Sequence, residues 1–167
     1  NYQKAIDTDT AQDVKADLMK EASDLAKKSG NRASQADWLG RIYKMKKSPT
    51  QTDLYNWGLA NYQAGLYQTS DSIFCGMYQS QYPNEVFGYL WCARSKQAMD
   101  DSTNSKGLAV EAYKTLAEKP KQIDSVKFKP QIISSYFYLV QYYNDIAKDI
   151  NTAISYLDKV LETDPTN

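Results

Sequence analysis

The chain has no histidine among its 167 residues. Histidine is the commonest general base, the commonest metal ligand and the usual base of a catalytic triad. Its absence leaves carboxylates and lysines for acid–base work and points away from an enzyme. Cysteine is scarce: Cys75 and Cys92 are the only two. Structural zinc usually takes four thiolate or imidazole ligands, so neither a metal site nor a cofactor is expected. An excess of one charge is missing too, with 20 Lys plus Arg against 20 Asp plus Glu. A neutral chain exerts little general pull on nucleic acid or anionic lipid. No apolar run approaches the roughly 18 residues of a membrane span, so insertion of this segment in a membrane is not expected. The chain opens in what reads as the middle of a helix. It is therefore taken as a piece of a longer protein, and the lack of a targeting segment says nothing about location.

Glycine and proline are few, at 7 and 5, and fall mostly between periodic segments. That pattern suits helices joined by short turns. Residues 11–28 carry Val14, Leu18, Ala22 and Leu25 at three- and four-residue spacing, which predicts a first helix. Ser29-Gly30-Asn31 breaks it. A second helix over about 32–46 places Ala36, Leu39, Ile42 and Tyr43 on one side. Asp53 is suited to capping the next helix, through Leu54, Trp57 and Ala60, and Gly65 ends it. Tyr67 opens a partner with Ser70, Phe74 and Met77. The third pair copies the second, with Phe87 in the place of Leu54 and Ala93 in that of Ala60. A polar stretch from Asp100 to Ser105 interrupts it, and a looser connection runs from Lys119-Pro120 to Pro130. The last pair covers 131–147 and then Asn151 to Asp164.

The same grammar recurs in these segments. A small residue, Ser70 or Ala153, lets two helices approach. A large one four later, Phe74 or Leu157, fills the gap, and Met77 or Val160 meets the following helix. Gly58 sits inside a helix, where glycine costs about 1 kcal/mol relative to alanine, so close approach by a neighbour is expected there. Such units cannot bury their apolar faces alone and must stack.

Trp57-Gly58, Gly65, Tyr67, Phe74 and Pro83 resemble one tetratricopeptide repeat, and Ala153, Leu157, Val160 and Pro165 another. Gln35 in a small-residue place departs from the pattern. The resemblance to this family implies an all-α fold, a right-handed superhelical solenoid (α-α superhelix) of antiparallel helix pairs. It covers 1–167 as a single domain, with pairs at 11–49, 51–83, 84–119 and 129–165 after a leading remnant at 1–8. It also implies that the first helices line a concave groove. Groove-facing residues would then include Lys20, Glu21, Asp24 and Lys27, with Leu59 and Gln63 in the second pair. The residues expected to hold a partner are Tyr55, Asn56, Tyr62, Tyr89, Lys96, Tyr138 and Tyr142. Tyrosine brings large contact area and a hydroxyl at low entropic cost, although each of these rings is equally suited to packing between helices.

Three further features receive plainer readings. The spacing of Cys75 and Cys92 does not establish a pair, and two free, partly buried thiols are expected. Lys44-Met45-Lys46-Lys47 reads as a solvated helix end favoured by the helix dipole. Asp100-Asp101-Ser102-Thr103-Asn104 resembles a calcium loop but lacks its glycine and terminal glutamate, and reads as a polar turn. The functional expectation is a non-enzymatic protein–protein interaction scaffold that binds a peptide or protein segment, with no nucleic-acid partner. The alternative is a structural spacer or oligomerisation segment of a longer repeat protein, self-associating through its open ends. The Tyr-, Asn- and Gln-rich texture is similar to repeat regions of bacterial envelope proteins, periplasmic or outer-membrane-associated. The compartment itself stays open.

Overall fold

A computed structural model describes residues 2–8 and 12–165. Among them every regular element is helical. They are α1 (Tyr2–Thr8), α2 (Gln12–Lys28), α3 (Arg32–Met45) and α4 (Gln51–Gln63). Next comes α5 (Tyr67–Asp71), which runs on as a π-helical stretch, Ser72–Tyr78, and a last α turn, Gln79–Gln81. Then follow α6 (Val86–Met99), α7 (Val110–Asp124) and α8 (Lys129–Gln141). A second π-helical stretch, Tyr142–Ile146, extends α8, and α9 (Ile150–Thr163) ends the series. The chain divides into two compact units, 1–73 and 74–167. The boundary falls inside the first π-helical stretch.

In the N-terminal unit each helix packs on the next in chain order, from α1 to α5. Two turns are built alike. Gly30 follows α2 with φ +76° and Gly65 follows α4 with φ +75°. Only glycine takes this left-handed region freely. It lets Asn31 N–H reach the Ala26 carbonyl at 2.9 Å and Leu66 N–H reach the Asn61 carbonyl at 2.9 Å. These bonds satisfy helix-end carbonyls and reverse the chain. Asn31 then caps α3 by accepting from Ser34 N–H at 3.0 Å.

The buried face of α2 differs from the expected stripe. Met19, Ala22, Ser23 and Ala26 are buried, while Val14 and Leu25 are exposed. The small residues win the interface because α2 lies close to α3, and larger Leu25 is turned outward. Ile6, Met19 and Ile42 form the core there, flanked by Leu18, Trp38 and Leu39. Close approach is resolved at Gly40, where a Cβ would sit 2.7 Å from the Trp57 indole nitrogen. Gly58 is buried within α4.

The cap of α4 is Thr50, not Asp53. Thr50 Oγ1 accepts from Asp53 N–H at 3.2 Å, and Asp53 Oδ2 accepts from Thr50 N–H at 2.8 Å, a reciprocal capping box. The Lys46 ammonium donates to Asp53 Oδ1 at 2.7 Å. Burial pushes the Asp53 carboxyl up, but the Lys46 and Thr50 hydrogen bonds outweigh it and hold the group below its ordinary range. A carboxyl lowered on folding stabilises above its unfolded pKa of about 4 and loses that contribution as pH falls through the folded value. Asp53→Ala should therefore cost about 1–2 kcal/mol near neutral pH. Urea midpoints of the two proteins should draw together as the pH falls below about 4 and through the folded value. A gap that stays constant with pH would show that the carboxylate charge contributes nothing.

The C-terminal unit packs α6 on α7, α7 on α8 and α8 on α9. Val86, Tyr89, Leu90, Tyr113, Leu116, Ile132, Tyr136 and Leu139 dominate its core. The internal repeat lies one residue away from the expected register. Leu54, Gly58, Ala60 and Asn61 are buried in α4, and Val86, Leu90, Cys92 and Ala93 are buried in α6. Val86 therefore takes the place of Leu54, and Phe87 is left exposed. The cause is Gly88, where a Cβ would lie 2.5 Å from the Tyr78 ring. That closely packed aromatic fixes the rotation of α6.

Cys75 and Cys92 are not free thiols. They form a disulfide with Cα atoms 4.9 Å apart, inside the usual bridging range. The looser connection expected from Lys119 is in fact helical: α7 continues through a buried Pro120 to Asp124. The stripe of α9 also differs. Ala153 and Val160 are buried, but Leu157 is 41% exposed. Tyr156 takes the seat between them, stacked on Tyr143 at 5.8 Å and tilted against Tyr136 at 5.9 Å. Helical spacing allows either the third or the fourth residue there, and the larger ring wins.

Candidate functional site

Helices α2, α3 and α4 line an open cavity of about 260 Å³ in the N-terminal unit. Ser23, Asp24 and Lys27 come from α2, Arg32, Gln35 and Leu39 from α3, and Asn56, Leu59, Ala60 and Gln63 from α4. The Gly30 turn sets α2 and α3 side by side, so that Lys27 and Arg32 reach one space. The Arg32 guanidinium donates to Gln35 Oε1 at 3.0 Å, which fixes both side chains on the wall. The lining offers two cations, one carboxylate and three primary amides. Amides both donate and accept, as a peptide backbone requires. Leu39, Leu59 and Ala60 supply an apolar floor.

The expected groove residues divide between the units. Asp24, Lys27, Asn56, Leu59 and Gln63 are brought together in this cavity. Tyr55 and Tyr62 are half-buried on the same helix, and the Tyr62 ring meets Tyr67 edge-on at 5.3 Å. Lys20 and Glu21 are exposed on α2 and do not line the cavity. Sequence reasoning missed Arg32 and Gln35, because the resemblance assigns the groove to first helices alone. The signal was present in Arg32 standing directly after the Gly30-Asn31 turn.

In the C-terminal unit, Tyr89 and Tyr138 are buried residues of α6 and α8. They are 7% and 8% exposed. The Tyr89 hydroxyl donates to the Pro83 carbonyl at 2.9 Å, tying the start of α6 to the preceding turn. Burial pushes the Tyr89 hydroxyl's pKa up. Tyr138 stacks on Tyr113 with centroids 3.9 Å apart. Lys96 is half-buried on α6. Tyr142 is half-buried and meets Tyr143 edge-on at 5.4 Å.

The stretch from Asp100 is a self-bonded turn, as read. The Asp101 carboxylate accepts from Thr103 N–H and Ser105 N–H, both at 3.0 Å, and from the Ser105 hydroxyl. These bonds, those of Ser105 foremost, hold its carboxyl well below the usual range. Asp100 accepts from Lys106 N–H at 3.2 Å and Leu108 N–H at 3.0 Å. Both carboxylates are thus spent on the loop's own donors. Gly107, with φ +64°, closes the loop where any Cβ would strike the Tyr142 hydroxyl.

Comparisons with protein-family models, with curated proteins and with solved structures found no match. The class defined by the fold is an all-α protein of helices packed in chain order within each unit. No helix among the described residues is long and apolar enough to cross a membrane.

Proposed function

We propose that this chain is a non-enzymatic interaction scaffold of tetratricopeptide type that binds a peptide or protein segment. The observation that carries the reading is the cavity lined by Asp24, Lys27, Asn56, Leu59 and Gln63. Those residues lie on the two helices that the repeat grammar assigns to a concave face. Packing of helices in chain order supports the solenoid arrangement. Recognition rests on Lys27, Arg32 and the three amides, with Tyr55 and Tyr62 contributing area on the same helix. The Cys75–Cys92 bond suits an oxidising compartment, in keeping with the envelope-like texture.

The test begins with peptides selected from a random library on the intact protein. The Lys27→Ala/Asn56→Ala double variant should weaken their binding by more than about 2 kcal/mol, or roughly 30-fold, with helicity unchanged. Lys47→Ala, on an exposed helix end, serves as the control and should change little. Equal binding by the double variant would remove this cavity from the account.

A second reading has its own support. Ile150, Ile154, Leu157 and Leu161 are 52%, 50%, 41% and 51% exposed on α9. Their spacing places them in one apolar stripe. Such a face favours a spacer or self-association role.

A further inference from the structure

We propose that the recess between the loop at Ser102–Asn104 and the end of α8 binds a primary ammonium on an alkyl stem, as a lysine side chain of a bound partner presents it. The proposal rests on the peptide-scaffold reading and names the chemistry that one partner residue would bring.

The recess has a volume of about 120 Å³ and lies wholly within the C-terminal unit. It is a small recess, suited to the end of one side chain. Ser102, Asn104, Tyr138, Gln141, Tyr142 and Asp145 line it, and no lysine or arginine does. Asp145 is the one ionised group on the wall. Asn144 donates to its Oδ1 at 2.7 Å, which orients the carboxylate. An anion would be repelled there, and a neutral ligand would forgo the Coulomb term. An ammonium carries three donors and no acceptor. The carboxylate of Asp145, the carbonyl oxygens of Asn104 and Gln141, and the hydroxyls of Ser102 and Tyr142 are all acceptors. The half-buried ring of Tyr142 suits a cation as well.

The second observation is Tyr138 itself. It is buried, and its hydroxyl has no hydrogen-bond partner among the described residues. Buried polar groups are almost always paired, so an orphan hydroxyl on a residue that lines a recess calls for an explanation. Burial, with smaller contributions from Tyr113, Asp100 and Tyr142, pushes this hydroxyl up to about 12, so it stays neutral near pH 7. The wall is also fixed in place. Asp100 and Asp101 hold the loop, and Tyr142 begins a π-helical stretch, a feature frequent at functional sites.

The experiment titrates the intact protein with n-butylammonium and, separately, with butan-1-ol, following the side-chain amide resonances of Asn104 and Gln141. Butylammonium should give saturable shifts and butanol none. Asp145→Asn, at an exposed position, should keep the fold and weaken binding about two- to fivefold. Tyr138→Phe should weaken it about two- to fivefold. No saturation by butylammonium, equal shifts with butanol, or an unchanged affinity in Asp145→Asn would each overturn the site. A lysine-bearing selected peptide should lose affinity when that lysine is acetylated and the wild-type recess is intact. If it does not, while butylammonium still binds, the assignment to a partner's lysine is overturned. Failure of the Lys27→Ala/Asn56→Ala test leaves the amine titration unaffected, so the two readings fail separately.

Discussion

Phe74→Ala should destabilise the protein by about 3–5 kcal/mol. The ring is fully buried, 5.7 Å from Tyr78 and 6.2 Å from Trp91 between centroids. Its removal takes away the transfer free energy of a whole aromatic side chain and leaves a hole lined by two rigid rings. These rings have little freedom to collapse, because Tyr78 is wedged against Gly88. Leu157→Ala is the matched contrast. The repeat grammar gives both residues the same role, but the exposed Leu157 should cost less than about 1 kcal/mol. Urea midpoints of the two variants settle the comparison. Equal losses would mean that Leu157 is covered, and that the exposed stripe on α9 does not exist in solution.

Reduction of the Cys75–Cys92 bond, or its replacement by two serines, should cost about 3 kcal/mol in the chain-entropy account. The two residues are 17 apart in sequence, so the closed loop is of moderate length. The bond joins the π-helical stretch after α5 to α6, next to both Phe74 and the Tyr78–Gly88 contact. Losing it should therefore also lower protection of amides in α6. Comparing denaturation with and without a thiol reductant measures the effect. A difference below about 1 kcal/mol would show that the crosslink adds little to folding.

Helix positions were legible in the sequence because glycine, proline and capping residues mark their ends. Gly30 and Gly65 act as such signals act in peptides, whereas the cap of α4 was read at Asp53 and lies at Thr50. Rotation of each helix was less legible. Small residues in α2 and the Tyr78–Gly88 wedge in α6 each shifted the buried face by about one residue, whereas in α9 Ala153 and Val160 kept their seats and only Leu157 gave way to Tyr156. Those decisions depend on neighbours far along the chain, which periodicity does not record. The disulfide was hidden for the same reason, since spacing alone does not place two thiols together. At the candidate site, α2 and α4 were readable from the repeat pattern, whereas Arg32 and Gln35 entered through packing of α3. Tyr138 and Tyr142 were readable from the repeat pattern, but the recess they line was not, because it needs a π-helical stretch and a loop folded on its own aspartates.

The most direct measurement is the backbone amide shift map of the isotopically labelled protein bound to a library-selected peptide. The account predicts that the largest changes fall on α2 and α4, around Asp24, Lys27, Asn56, Leu59 and Gln63, with Arg32 and Gln35 beside them. Changes centred instead on Ile150, Ile154, Leu157 and Leu161, with the α2–α4 cavity silent, would contradict it and favour the association reading.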